Sequence, residues 1–233
     1  MTVPEPIFTV RKLNASYGPL LVVEDLSIAF EAGSRTGIFG HNGSGKSTLL
    51  KCLVGGVKAV SGEISFDGKT IEPNLVHKNV RLGIGFVPQS RNIFPSLSVE
   101  KCLEIAGLSE TNDDIQAVFD ILPLLEERRR QRAGALSGGE QQMLAVGMAL
   151  MTKPKALLLD EPSAGLSPVA AKTIMERLRT INEKHSTTII LVEQNVYTAL
   201  EIVERAVVLK SGKIVFDGPA SELKAKDDLW AWF

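Results

Sequence analysis

The sequence predicts an α/β fold: a mostly parallel sheet covered on both faces, with a small antiparallel β subdomain and a helical insert. Two observations carry this. Continuously apolar runs at 83–87, 155–159 and 187–192 alternate with helical patterns, and strands buried on both faces belong to parallel sheets. The first runs, 7–13 and 21–30, instead alternate apolar and polar residues, as half-buried antiparallel strands do.

Taken in order, Asn-Ala-Ser-Tyr-Gly-Pro at 14–19 is the expected turn between those first strands. Tyr17 in it either packs or offers a flat platform to a purine base. The run Thr-Gly-Ile-Phe at 36–39 then leads into Gly40, His41, Asn42, Gly43, Ser44, Gly45, Lys46, Ser47 and Thr48, and on into Leu-Leu-Lys-Cys-Leu. Strand, glycine-rich turn, helix, with the spacing G-x-x-x-x-G-K-[ST], is a phosphate-binding loop. Its glycines permit turns closed to bulkier residues, so that backbone N–H groups point inward and join the positive end of the helix around phosphates. Lys46 is expected to reach the β- and γ-phosphates, and the Ser47 hydroxyl to ligate Mg²⁺. Residues 62–68 read as a strand ending in an Asp-Gly turn, 74–82 as a helix, and 83–87 as a buried strand closed by Pro88 and Gln89.

Residues 98–108 and 113–125 read as two amphipathic helices that interrupt the strand–helix alternation, hence a helical insert. The run Glu-Glu-Arg-Arg-Arg-Gln-Arg at 126–132 is either a solvated helix end or a docking surface. Leu136 and Ser137 open a helix running to about Thr152, in which Met143, Met148 and Met151 read as gap-filling core residues. An apolar strand then ends in Asp160-Glu161-Pro162. After it come a loop, a helix at 169–183, a strand ending in Glu193-Gln194-Asn195, and a closing helix, strand and hairpin through Gly218. The aromatic tail at 229–233 either packs on its own domain or meets a partner.

Ligands of parallel sheets sit at the carboxyl ends of the strands. Gly40, Gln89, Asp160 and Gln194 each follow directly on such a strand and are expected to converge. Phosphoryl transfer needs the phosphates held, the metal held, and a water aimed in line. Asp160, after four apolar residues, suits the Mg²⁺ shell. Glu161 suits the attacking water. Gln89 could touch both metal and water, or make an ordinary loop hydrogen bond. Ser137 is a good helix N-cap; with Gly138 and Gly139 behind it, the same helix start also exposes amides to an anion. A second anion-binding helix start in a chain whose phosphate loop already encloses a nucleotide suits a nucleotide held mainly by another copy.

The 233 residues suit one large domain. A net charge of −1 gives no sign of a nucleic-acid partner or an electrostatic membrane anchor. Cys52 and Cys102 match no metal or disulfide spacing and fit a reducing compartment. Neither a leader pattern at the amino terminus nor an apolar run near the ~20 residues of a membrane span is present. A cytoplasmic protein that meets the membrane through other proteins is expected.

Gly40 to Ser47, Gln89, Leu-Ser-Gly-Gly-Glu-Gln at 136–141, the strand into Glu161, and Ser163 to Leu166 stand in the order found in ABC transporter ATPases, and the resemblance spans essentially the whole chain. It implies a P-loop NTPase of the ABC type over 1–233. Within it, an antiparallel β subdomain would lie at about 5–33 and 60–72 and a helical insert at about 91–135, the remainder being the ATP-binding core. By resemblance, Tyr17 stacks on adenine and Gln89 lies in a loop contacting metal and water. Ser137, Gly138, Gly139 and Glu140 complete the site of a facing subunit, Glu161 is the catalytic base, and residues 163–166 communicate between two sites. ATP and Mg²⁺ are the implied ligands. A head-to-tail dimer with itself or a paralogue would drive two transmembrane permease subunits, served indirectly by an extracytoplasmic solute-binding protein, at the cytoplasmic face of the membrane.

A finer resemblance is to branched-chain amino-acid importer ATPases. It is carried by Gly-Ile-Gly-Phe-Val-Pro-Gln at 83–89, Asn-Ile-Phe-Pro at 92–95, Gln-Arg-Ala-Gly at 131–134 and Leu-Val-Glu-Gln-Asn at 191–195; importers for urea and amides share it. Two departures stand out. Gln194 occupies the place of a γ-phosphate-contacting histidine in most of the family, as it does in this branch, and cannot carry a protonated imidazole's charge. Met148 stands where arginine is usual. Exporter and lipid-extraction ATPases share the core motifs. Soluble ABC proteins of DNA repair or translation carry coiled-coil inserts or tandem cassettes, which this chain lacks. A GTPase would need an N-K-x-D sequence, which is absent.

Overall fold

A computed structural model of the chain describes residues 6–57, 59–90, 92–107 and 112–225; the aromatic tail lies outside them. Two sheets are formed. The smaller, ordered β2-β1-β4-β5, is antiparallel and built from β1 (Pro6–Tyr17), β2 (Leu20–Glu31), β4 (Ala59–Phe66) and β5 (Lys69–Thr70). The larger has the order β10-β9-β3-β8-β7-β6, from β3 (Arg35–Phe39), β6 (Ile84–Val87), β7 (Ala156–Asp160), β8 (Thr188–Val192), β9 (Arg205–Lys210) and β10 (Lys213–Pro219). Its pairs are parallel except the β9–β10 edge hairpin.

The continuously apolar strands feed two cores. Leu157, Leu159, Ile189, Leu191 and Val208 point into one, among the helices α3 (Val99–Ala106), α4 (Asn112–Ile121), α5 (Pro123–Glu127), α6 (Gly138–Leu150) and α7 (Pro168–His185). Leu158, Ile190, Val192, Val207 and Leu209 point the other way, onto α1 (Lys46–Leu53) and the inner face of the antiparallel sheet. Phe8 anchors that second core, its ring 4.6 Å from that of Phe66 and 6.4 Å from that of Phe30. Met143 and Met151 are buried and Met148 packs at the edge of the first core, as gap-filling residues do. Short helices α2 (Val76–Val80), α8 (Val196–Leu200) and α9 (Ala220–Lys224) complete the chain.

Two sequence expectations need correction. The turn expected at 14–19 narrows to Gly18 and Pro19, because β1 continues to Tyr17 through register shifts. Asn14 is a sheet residue: its side-chain amide donates to Ser61 Oγ (2.9 Å) while its Oδ1 accepts from Asp25 N (3.0 Å), clipping three strands together at the irregularity. The expected helix at 113–125 is two helices. Pro123 cannot continue the first, and stands instead at the start of α5, where its missing N–H costs nothing. Among the described residues no helix is long and apolar enough to cross a membrane.

Because adjacent residues of β7 fill different cores, Leu157→Ala and Leu158→Ala should each cost about 2–5 kcal/mol by denaturant titration. A near-neutral result for either would show that one face of the sheet is not packed as described.

Candidate functional site

The larger sheet brings the ends of β3, β6, β7 and β8 side by side. After β3, Gly40 takes φ 145°, and a Cβ there would collide with the Leu209 carbonyl oxygen. Gly45, at φ 104°, is the N-cap of α1 and supplies no side-chain cap, so the first N–H groups of the helix remain free to meet an anion. A Cβ on Gly45 would come 3.0 Å from the Val22 carbonyl oxygen. The loop is thus wedged against both sheets. Inside it the Ser44 hydroxyl is buried without a partner among the described residues, and a buried hydroxyl wants an acceptor.

Lys46 is 4 % exposed. Its ammonium curls back and donates to the carbonyls of Gly40 (2.7 Å) and His41 (2.9 Å), since a buried charge needs acceptors. Burial holds its pKa below the usual lysine value, against the opposing fields of Glu161 and Asp160. Beside it the Ser47 hydroxyl donates to Asp160 Oδ1 at 2.8 Å. That hydroxyl–carboxylate pair, joining the loop to the end of β7, is the hard oxygen donor set that Mg²⁺ prefers.

Glu161 is the centre of the arrangement. It is 7 % exposed and holds a left-handed backbone at φ 52°, with its N–H on the Val192 carbonyl (2.9 Å). Gln89 Nε2 donates to Glu161 Oε2 at 2.6 Å and Gln194 Nε2 to Oε1 at 2.7 Å. Two neutral amides, from β6 and β8, therefore grip one carboxylate from β7. Val22, Asn42, Gly43, Gly45, Ser47 and Thr48 meet Gln89, Glu161 and Gln194 around a cleft of about 290 Å³.

Other candidates stand elsewhere. Tyr17, 49 % exposed at the end of β1, is not a core packing residue; neither it nor residues 137–140 line this cleft. Ser137 Oγ accepts from Glu140 N (3.4 Å) and Glu140 Oε2 from Ser137 N (2.8 Å), a reciprocal cap on α6. That Ser137 N–H holds the Glu140 carboxyl below its usual range. Gly139 also has a packing reason to be glycine, since a Cβ would lie 2.9 Å from that of Ala170 on α7.

Two site residues escaped the sequence reading. Val22 reaches the cleft from β2, by a fold-over of the antiparallel sheet that no local pattern signals. Glu193 is 1 % exposed and accepts from Ser163 N at 2.8 Å; its signal was a carboxylate directly after the apolar β8 run.

A family model described as ABC transporter matches residues 23–164. A probable branched-chain amino acid transport ATP-binding protein, LivF, of Archaeoglobus fulgidus is 43 % identical over 91 % of this chain and 92 % of its own length. The high-affinity branched-chain amino acid transport ATP-binding protein BraG of Pseudomonas aeruginosa is 41 % identical over the same shares. A phosphonates import ATP-binding protein, PhnC, of Caulobacter vibrioides is 32 % identical over 94 % and 90 %. Among solved structures, cbiO1 of Clostridium perfringens, part of the ABC transporter complex cbiONQ, superposes with TM-score 0.88 at 27 % identity, covering 97 % of this chain and 93 % of that one. A phosphate loop, a gripped carboxylate at the end of β7, and these likenesses lead to one conclusion: the chain belongs to the ABC transporter family, as an ATP-binding subunit that hydrolyses ATP.

Proposed function

We propose that this chain powers an importer of branched-chain or related amino acids. The observation that carries this reading is the 43 % and 41 % identity, over nine-tenths of each chain, to ATPases whose names give that role, against 32 % to a phosphonate importer's. Its partners are two transmembrane permease subunits and a second ATPase, self or paralogue, packed head to tail. It sits on the cytoplasmic face of the membrane, served indirectly by an extracytoplasmic solute-binding protein.

The geometry of the cleft, together with the family resemblance, supports the following site roles. The loop amides of 40–45, the first N–H groups of α1 and the orphaned Ser44 hydroxyl meet the phosphates of ATP. Lys46 exchanges its two carbonyl partners for β- and γ-phosphate oxygens. Ser47, Asp160 and Gln89 would hold Mg²⁺, which would supply positive charge against the phosphates. Glu161 accepts a proton-bearing water in place of one of its amide donors and aims it in line with the γ-phosphate. Gln194 then turns its amide to the transferred group, with a hydrogen bond and no positive charge. Tyr17, exposed at the end of β1, stacks on adenine. Ser137, Gly138, Gly139 and Glu140, which do not line this cleft, close over the nucleotide of the facing subunit.

Four outcomes test this. Lys46→Ala should abolish ATP binding measured with a fluorescent analogue. Glu161→Gln should keep ATP bound, accumulate a dimer by light scattering, and lose about two to four orders of magnitude in hydrolysis; a normal rate removes Glu161 as the base. Gln194→His should change the rate by roughly tenfold or more, the weight of one stabilising contact; an unchanged rate means Gln194 does not touch the reacting phosphate. Gentle extraction from native membranes should co-purify two small multispanning permeases. A partner with a large extracytoplasmic domain, or none, would favour an exporter or a soluble role instead.

A further inference from the structure

We propose that Glu193 is a positioning residue for hydrolysis: it locks the Gln194 turn to the 163–166 loop and so fixes the donors around Glu161. The inference rests on the reading of Glu161 as the base. Glu193 stands one residue past the end of β8 (Thr188–Val192) and is 1 % exposed. No ion pair reaches it among the described residues; its bonds come from backbone N–H groups and the Ser163 hydroxyl. Oε1 accepts from Ser163 N at 2.8 Å and Oε2 from Gln194 N at 3.2 Å, and the Asn195 N–H also bonds to the carboxyl.

These donors belong to the two segments that flank Glu161. Ser163 lies two residues beyond it, in a loop whose Ala164 N–H donates to the Glu161 carbonyl at 3.1 Å. Gln194 reaches back across the cleft to Glu161 Oε1 at 2.7 Å. With the bond from Glu161 N to the Val192 carbonyl (2.9 Å), a closed ring results. It runs from the Glu161 backbone to Val192, through Glu193 to Gln194, and from the Gln194 side chain back to the Glu161 carboxylate. Glu193 joins this ring to the 163–166 loop.

A buried carboxylate without a cation is a costly way to hold a strand end, and an uncharged side chain would serve packing as well. What the charge adds is strength and direction in bonds to N–H donors. Direction matters here, because displacing a catalytic group by about 1 Å can cost on the order of a hundredfold in rate. Burial pushes the Glu193 carboxyl upward, and the Ser163 hydroxyl, followed by the three N–H donors, pulls against that shift.

The test is steady-state ATP hydrolysis by the full-length chain carrying Glu193→Gln, which keeps the volume but turns one acceptor into an –NH₂ that faces N–H donors. The expected result is a kcat about tenfold lower with the KM for ATP within about twofold of the parent, the pattern of an interaction felt only in the transition state. Deuterium exchange should quicken in peptides covering 161–166 and 193–195 and stay unchanged within β7 (Ala156–Asp160) and β8. Glu193→Asp, which keeps the charge with a shorter reach, should fall between parent and Gln. A parental kcat overturns the proposal, as does a raised KM at constant kcat, or a lowered kcat accompanied by faster exchange throughout both strands. Glu161→Gln, run alongside, separates the two readings: if it hydrolyses ATP normally the base assignment has failed, whereas if it is silent and Glu193→Gln runs at the parental rate only the positioning role has failed.

Discussion

Everything in the site turns on one constraint: a buried carboxylate must be given donors. Glu161 sits at 7 % exposure with no ion pair among the described residues, and two amide side chains hold it at 2.6 and 2.7 Å. Neutral donors satisfy both oxygens without adding a cation of their own. The left-handed backbone at Glu161 costs roughly 1–2 kcal/mol for a residue with a Cβ. The bond from its N–H to Val192 and the loop after it hold that conformation in place. Gln89, Glu161 and Gln194 stand one or two residues past the ends of three neighbouring parallel strands, so the strand spacing of about 4.8 Å brings their segments side by side.

The scaffold behind this is stiff for a reason legible in its cores. Successive residues of β7 and β8 alternate between the helical core and the core under the antiparallel sheet. Neither strand can slide by one residue without exchanging every side chain between faces. The phosphate loop is clamped likewise: Gly40 is pressed on Leu209 of β9, and Gly45 on Val22 of the other sheet. The antiparallel sheet therefore helps to shape the cleft as well as to cover a core, and it brings Val22 into the lining.

The start of α6 has a different character. Its reciprocal cap between Ser137 and Glu140 is self-contained, and Arg128 approaches Glu140 at 3.4 Å from the charge run. The charge run is thus partly used within the domain: Arg129 pairs with Glu100 and lies over the Phe119 ring. One of the two glycines has a packing duty against α7.

The sequence by itself determined the class of fold and most of the site. Glycines at 40, 43 and 45 followed by Lys46 and Ser47 admit few structures between a strand and a helix, and an Asp-Glu pair after an apolar run places carboxylates at a strand end; both are local signals. Period-two alternation likewise separated the antiparallel strands from the parallel ones. Where chain-local patterns ran out, tertiary structure decided. Asn14 looked like a turn residue because asparagine favours turns, yet its partners, Ser61 and Asp25, are distant in sequence. Val22 carries no motif, and its place depends on how the second sheet folds over the loop; Glu193 stands in a recognisable stretch, but its partner is a backbone N–H 30 residues away. A spacing along the chain can specify which groups a turn presents, whereas the partner of a buried polar group is chosen by whatever the fold brings within about 3 Å of it.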